Sequence, residues 1–497
     1  MSISKIPNKH LYLAIVFLGF YFIYRLIDQA KLMWIFPLDY FNDYSAHMSM
    51  LFFLKECGFH ALCPYWYGGY TTFLAYNPGW VFFSYPLYII TSNVQITTYL
   101  SLLLIFLLSF LALFFLSRNE KFGLTKTIAF FLFLFANPIT IGNFIRLGRM
   151  SEMFAWVVFL FLTLIIFWYR KHKLDKKFLF FIPVYTVLMF SHPTVTILSH
   201  FLILALLLIK TYKERSFIIT NMLVGLLASS FWWVPYIKSF SNNTILEVVQ
   251  SRRLLSFDKS WIFTNIAAII IPLALLVIFW FYWKSNKTTE KILFFAPILI
   301  LNLLVLFRIV PFLPVLKHIY PYSYLFFFIF FSLFFLFKSN LNVYPNLLKK
   351  ILITSLIIVP LLSVIISVIH TPMFIIPSQL EEDTLAMFPL IEGKYFFLSS
   401  IYPTSYGHAY NSYGPIFYKL ETAGGFGGSE VSPEYISSLL KYKTYFDEMK
   451  CSDFENLLRE FEIKNTIGYD EDCGKLRECG LEEITNKGRV CLYRIPQ

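Results

Sequence analysis

The sequence predicts a polytopic α-helical membrane protein with a small extracytoplasmic α/β domain at its C-terminal end. Three observations predict it. Of the 497 residues, 57% are hydrophobic and only 14% charged, where a soluble protein carries about 25% charged residues. Apolar runs long enough to cross a bilayer, about 17–25 residues, recur through the first three quarters of the chain. After about residue 371 the composition turns polar, acidic and rich in Gly and Tyr.

Taken in order, Lys5, Lys9 and His10 precede an apolar run at 11–27. With no small-residue cleavage site before Tyr21–Asp28, this run reads as an uncleaved first span. Further spans are expected at 96–117, 127–143, 152–169, 178–192, 194–209, 216–236, 263–283, 291–307, 321–337 and 351–369, about 11 transmembrane helices in all. The stretch 78–91 is apolar but short and proline-bounded, and reads as interfacial or re-entrant.

The loops 118–126, 170–177, 210–215, 284–291 and 338–350 hold 17 basic residues against four acidic ones. The positive-inside rule makes these loops cytoplasmic. The N-terminus is then cytoplasmic, and the first loop (28–95) and the tail lie outside a multi-pass cell membrane protein. The formal charge of +12 is read as loop charge of this kind, with no nucleic-acid partner implied. Two domains follow: 1–371 in the membrane and 372–497 outside, with strands near FFLSSIYP, NTIGYDED and GRVCLYRI and helices at 433–448 and 451–463. All six cysteines fall on segments assigned outside, where oxidising conditions favour disulfides. Pairing is expected as Cys57–Cys63 plus two bridges among Cys451, Cys473, Cys479 and Cys491.

The first loop concentrates the chemistry-bearing residues. In FNDYSAH, Asp43 and His47 are four apart and share a face if helical. The following Met48, Met50, Leu51 and Leu54 suggest an amphipathic helix lying in the interface. Asp43 is then either a catalytic carboxylate or an N-cap. Asp39 is the second carboxylate of the loop. Trp66 and Trp80 are the aromatic residues placed to stack on a sugar, while the other Trp and Tyr residues suit an interfacial belt.

Basic residues at outside span ends run against the positive-inside bias. These are Arg146, Arg149, Arg308 and Lys317. A phosphate held at the membrane face would explain them, because Arg presents a planar fork and Lys a point charge. An ion pair such as Arg149–Glu152 is the other explanation. Arg252 and Arg253 lie in a longer loop and carry less of this argument. His192, before Pro193, either binds a phosphate or caps its helix. No ligand spacing supports a metal, so none is assigned and no cofactor is expected. Nucleotide-binding and serine-hydrolase patterns such as GxGxxG, GxSxG and HExxH are absent.

The segments NDYSAHMSMLFFL, CPYWYGGYTTFLAYNPGW, NPITIGNFIRLGRMSEMFAW and SHPTVTI resemble the family of 6-pyruvoyl-tetrahydropterin-synthase-related membrane proteins. The layout as a whole resembles the GT-C class of integral-membrane glycosyltransferases, and the tail is similar to the outside domains of YfhO-like transferases. The resemblance implies transfer of a sugar from a polyprenyl-phosphate (dolichyl-phosphate-like) donor to a lipid, glycan or protein acceptor outside the cell, among membrane lipids. It implies metal-independent inversion with Asp43 or Asp39 as general base. Arg308, Arg149, Arg146, Lys317 and His192 would hold the donor phosphate, and His47, Trp66 and Trp80 would contact substrate. GT-C enzymes often carry adjacent acidic residues in this loop, whereas Asp39 and Asp43 stand four apart. Two rival readings are a flippase for lipid-linked sugars and a non-catalytic scaffold subunit. A flippase needs polar groups through the bilayer midplane, and here they gather at one face.

Overall fold

The protein is described by a computed structural model covering residues 8–38, 42–74, 76–242, 249–257, 261–284, 289–339, 345–398, 407–425 and 433–496. It divides into two compact units. One comprises residues 1–30, 102–231 and 247–373, and the other 31–101, 232–246 and 374–497.

The first unit is helical and organised on the Phe-rich helix Pro321–Lys338. This helix is buried over most of its surface from Tyr324 to Phe337, with Ile329, Ser332 and Leu336 on its one partly open face, as expected of a helix that is apolar almost all round. It packs on the helices Ile262–Lys284 and Leu124–Phe135. Ring pairs lock these contacts, among them Phe279–Phe335 with centroids 5.1 Å apart and Phe130–Phe330 at 5.5 Å. Trp156 of the helix Met150–Lys171 meets Phe326 at 4.5 Å. Such pairs add about 0.5–1.5 kcal/mol each beyond area burial.

One end of the unit is tied by a buried carboxylate. Glu120 sits 2.9 Å from Lys171, 3.2 Å from Arg170 and 2.7 Å from Lys338, joining the ends of Val94–Asn119, Met150–Lys171 and Pro321–Lys338. The loops that supply these residues all belong to the basic set recognised in the sequence, so those three loops share one end of the bundle.

Among the described residues, six helices are long and apolar enough to cross a membrane: Leu11–Met33, Val94–Asn119, Met150–Lys171, Ile262–Lys284, Pro321–Lys338 and Asn346–His370. Two bent pairs, Leu124–Phe135 with Pro138–Arg146 and Tyr212–Ala228 with Ser230–Lys238, raise the number to as many as eight. The expected count of about eleven was higher. Part of the difference lies in the lengths of two expected spans, 178–192 and 194–209, which meet at the expected break before Pro193. The resulting helices, Phe181–Ser191 and Pro193–Ile209, have only 11 and 17 residues.

The second unit carries two sheets. Strands β1 (Leu62–Cys63) and β2 (Tyr70–Thr71) form a small ribbon in the first loop. The tail contributes β3 (Tyr395–Phe397), β4 (Asn465–Tyr469), β5 (Glu482–Lys487) and β6 (Val490–Arg494), in the order β3-β4-β6-β5. β3 and β4 are parallel, and the other pairs are antiparallel. Gly488 takes φ +61° at the β5–β6 hairpin, a conformation that favours glycine. The helices Pro433–Asp447 and Cys451–Glu460 cover the sheet around Phe396, Tyr442, Phe446, Phe454, Leu458 and Tyr493. The three expected strands and two expected helices of the tail are present; β5 and the helices Gln379–Leu385, Gly407–Tyr418 and Glu471–Glu478 are additions.

The first loop is built into this sheet. Tyr395 donates to Glu421 O (3.0 Å) and accepts from Ala423 N (3.0 Å), laying 421–423 beside β3. Thr422 then donates to Tyr65 O (3.1 Å), while Tyr67 and Gly68 donate to Gly424 O (2.9 Å) and Thr422 O (3.1 Å). These bonds satisfy backbone groups that burial would otherwise strand. Disulfides join Cys57–Cys63, Cys451–Cys479 and Cys473–Cys491, bearing out the expected framework.

Candidate functional site

In the second unit, Asp43 immediately precedes the helix Tyr44–Glu56 but makes no side-chain cap bond. The neighbouring Asn42 accepts from Tyr44 N at 3.1 Å instead. Asp43 is half-buried. One turn on, His47 is buried, its Nδ1 bonded to the Tyr76 hydroxyl and its ring 5.3 Å from that of Trp80. Tyr76 O accepts from Trp232 Nε1 at 3.1 Å. Beside it, Asn77 Oδ1 is buried with no donor. Asp43 thus stands one helical turn before the histidine of an ordered His–Tyr–Trp group. Asp39 lies outside the described residues.

The helix after Asp43 differs from the amphipathic interfacial helix that was expected. Every residue from Tyr44 to Phe53 is buried, because the tail helix Gly407–Tyr418 packs on it. Trp66 and Trp80 are wholly buried as well. Trp66 Nε1 donates to Asn411 O at 2.8 Å and Trp80 Nε1 to Ser101 Oγ at 3.2 Å, so both indoles are committed to packing in this structure. Half-buried His60 stacks on Phe59 at 3.9 Å, and partial burial holds its imidazole below the usual histidine pKa.

The first unit gathers a different group. Glu152, in the first turn of Met150–Lys171, is buried. Its Oε2 lies 2.9 Å from Arg149 Nη1, and its Oε1 accepts from Ser323 Oγ (2.6 Å) and Trp156 Nε1 (3.3 Å). Asn143 links the two, accepting from Arg149 at 3.1 Å and donating to Glu152 at 3.4 Å. Arg149, 23% exposed, lies over the Tyr320 ring at 4.6 Å.

Further cations join through that ring. Arg253 lies 5.1 Å from Tyr320 and 4.4 Å from Trp261. Asn265 Nδ2 donates to Arg253 O (3.1 Å), and Asn265 O accepts from Arg308 Nη2 (2.9 Å). Arg308 has φ +59°, unusual for a side-chain-bearing residue, and its Nη1 is buried with no acceptor. Lys317 O accepts from Ser251 Oγ at 2.9 Å, which seats the Lys317 turn on the arginine-bearing segment. His192 feels the charges of Glu152 and Arg149, and its Nδ1 is buried without a partner.

Arg149, Arg253 and Arg308 therefore form a linked group with one carboxylate, Glu152, among the contacts just described. Arg146 belongs elsewhere: the charges acting on it are Arg25 and Asp28. Arg25, fully buried, donates to Thr371 O and Pro372 O. The i,i+3 pairing of Arg149 with Glu152 was visible in the sequence. Arg253 carried less weight than the span-end cations, and Tyr320 and Ser323 were not singled out, because their roles depend on contacts far along the chain. Among the described residues, no group of three His, Cys, Asp or Glu is placed to hold a metal ion.

The family model for the 6-pyruvoyl-tetrahydropterin synthase related domain, a membrane protein, matches residues 76–374. No curated protein matches the sequence. Among solved structures, the arabinofuranosyltransferase AftD from Mycobacteria matches with TM-score 0.63 at 13% identity, over 100% of this chain and 40% of that one. This chain thus spans less than half the length of that relative. The Archaeoglobus fulgidus oligosaccharyltransferase in its apo form matches with TM-score 0.56 at 9% identity, over 93% of this chain and 69% of that one. Its complex with an inhibitory peptide and a dolichol-phosphate matches with TM-score 0.51 at 12% identity, over 98% and 74%. At these identities the likeness is one of fold.

Proposed function

This chain belongs to the family of 6-pyruvoyl-tetrahydropterin synthase related membrane proteins, and on that premise we propose that it is a GT-C glycosyltransferase. The donor is a polyprenyl-phosphate-linked sugar, and the acceptor a lipid, glycan or protein outside the cell. The fold shared along the chain with two glycosyl-transferring enzymes supports the class. The observation that carries the donor assignment is the group of three arginines, Arg149, Arg253 and Arg308, against one carboxylate, Glu152, among the contacts described above. Such a charge excess suits a phosphate.

In the proposed reaction Asp43 takes the proton of the acceptor hydroxyl as its oxygen attacks the anomeric carbon. The bond from that carbon to the lipid phosphate breaks, and the phosphate departs as an anion. Arg149, Arg253 and Arg308 stabilise the charge developing on it, with Lys317 and His192 in support. Glu152 and Tyr320 hold Arg149 in place. Displacement is direct, with inversion, and needs no cofactor. His47, fixed by Tyr76, orients the acid's surroundings. Asp39 is the second candidate base. Arg146 is assigned to the Arg25–Asp28 group and Trp66 and Trp80 to packing. In topology, the N-terminus is cytoplasmic and the tail extracytoplasmic, with up to eleven crossings. The three disulfides support an oxidising compartment for the second unit.

The test uses purified protein in lipid nanodiscs with a polyprenyl-phosphate-linked sugar. Asp43→Asn lowers transfer by about 10²–10⁴-fold, the usual contribution of a general base, while expression and donor binding are retained. Arg308→Ala weakens donor binding more than Arg252→Ala at the exposed neighbouring site. Wild-type rates in Asp43→Asn remove it from the mechanism; equal effects of the arginine variants argue against a local phosphate site.

A further inference from the structure

A second polar–apolar junction lies in the first unit, among residues not used in the proposed reaction. A groove of about 550 Å³ runs between the C-terminal end of Val94–Asn119, the helix Met150–Lys171 and the short turn Lys176–Phe180. Its apolar part is lined by Phe115, Leu164, Trp168 and Phe180. Phe115, Trp168 and Phe180 are 47%, 48% and 72% exposed, and Leu179 beside them 47%. In a membrane protein a patch of this kind faces lipid chains.

The polar end is cationic. Arg118 and Lys177 line it and are both exposed. Asn119 sits between apolar wall and charge, and its side-chain Nδ2 is buried with no acceptor. Asp175 lines the groove as well, so two cations stand against one carboxylate at this end and leave it net positive, and the acidic groups are already hydrogen-bonded or paired. Asp175 accepts from the Tyr169 hydroxyl at 2.5 Å and from Lys177 N at 2.9 Å. Glu120 is held by Arg170, Lys171 and Lys338. An occupant must therefore bring its own negative charge, an acceptor for an amide N–H, and an apolar tail.

We propose that this groove is a binding site for an anionic phospholipid, with the phosphate against Arg118, Lys177 and Asn119 and an acyl chain along Phe115, Trp168 and Phe180. The argument is independent of the transferase reading. It rests on charge complementarity at one end of an exposed apolar groove in a membrane protein, and each basic residue near an anionic headgroup contributes several-fold to binding.

Native mass spectrometry of the full chain, purified with equal phosphatidylglycerol and phosphatidylcholine, tests it. The wild type should retain phosphatidylglycerol in about 10- to 30-fold preference, the combined effect of two basic contacts. Arg118→Gln/Lys177→Gln should bring that preference close to parity. Lys173→Gln/Lys176→Gln, at exposed lysines outside the groove, should leave it unchanged. Brominated-chain phosphatidylglycerol should quench tryptophan fluorescence less in Trp168→Phe than in wild type. Equal retention of both lipids, identical losses in the two double variants, or unchanged quenching in Trp168→Phe would each overturn the proposal. So would displacement of the lipid by millimolar inorganic phosphate, which would make the site one for the free anion.

Discussion

Removing the charge on Glu152 tests whether the buried pair organises the arginine group. In Glu152→Gln the retained carbonyl still accepts from Ser323 (2.6 Å) and Trp156 (3.3 Å). The new amide nitrogen replaces Oε2, which faces Arg149 at 2.9 Å and the Asn143 amide at 3.4 Å. Donors then face donors. A hydrogen bond to a charged group is worth about 1.5–3 kcal/mol, and Arg149, 23% exposed, recovers some of this from water. The expected loss is therefore about 1–3 kcal/mol. Arg149→Met is worse, because it leaves a carboxylate of 1% side-chain exposure without its cation, and breaking a buried pair costs about 3–5 kcal/mol. The double variant has no stranded charge and should lose less than the sum, by about 2 kcal/mol of coupling. The assay is reversible unfolding in mixed micelles, read as a double-mutant cycle with Arg252→Met as the exposed control. Losses that add within about 0.5 kcal/mol would mean that Glu152 and Arg149 do not hold one another, and the arginine group would lose its anchor.

Three further outcomes follow from the second unit. In Gly425→Ala the new Cβ would collide with the Tyr67 ring. A loss of about 1–3 kcal/mol, seen as faster proteolysis of the 407–425 segment, should be relieved by adding Tyr67→Ala. Reduction of the disulfides should weaken only this unit, which holds all six cysteines. Closing loops of 28 and 18 residues is worth about 3–4 kcal/mol each, so hydrogen exchange should rise across 374–497 and stay unchanged across 102–231. His60 is held below the ordinary histidine pKa by burial. Its neutral form is the native one, so its contribution is complete above about pH 6.5 and is lost as the pH falls further. His60→Gln should flatten that acid limb; an unchanged pH profile would count against a half-buried neutral imidazole.

The parts of the fold that could be read from sequence are those whose cause is local. Apolar runs mark Met150–Lys171 and Pro321–Lys338 directly, and the alternating segments of the tail became β3, β4 and β6. Cys57 and Cys63 lie six residues apart, so one partner was obvious and only the tail connectivity stayed open. The span count was harder. The break at Pro193 was legible, but hydropathy alone does not register that the helices on either side of it have only 11 and 17 residues. Nor does any local pattern show that Tyr65–Gly68 pairs with Thr422–Gly424, because a strand edge finds its partner through backbone groups that every residue carries.

The candidate site shows the same division at the level of side chains. Arg149 and Glu152 are three apart on the chain, and their pairing needed only helical spacing. Arg252 and Arg253 were indistinguishable as letters. The ring of Tyr320 selects Arg253, at 5.1 Å, and leaves Arg252 exposed. Trp66 and Trp80 suggested stacking platforms by composition, yet an indole offers a face to a sugar only when that face is open, and both are fully buried. Arg146 and Arg149 looked like one pair of cations. Asp28 and Glu152 divide them, since each buried guanidinium needs its own counter-charge. Where the carboxylates fall thus sets where positive charge is in excess. Among the contacts described above, Arg149, Arg253 and Arg308 share one carboxylate, Glu152, and that excess is the feature a phosphate would complete.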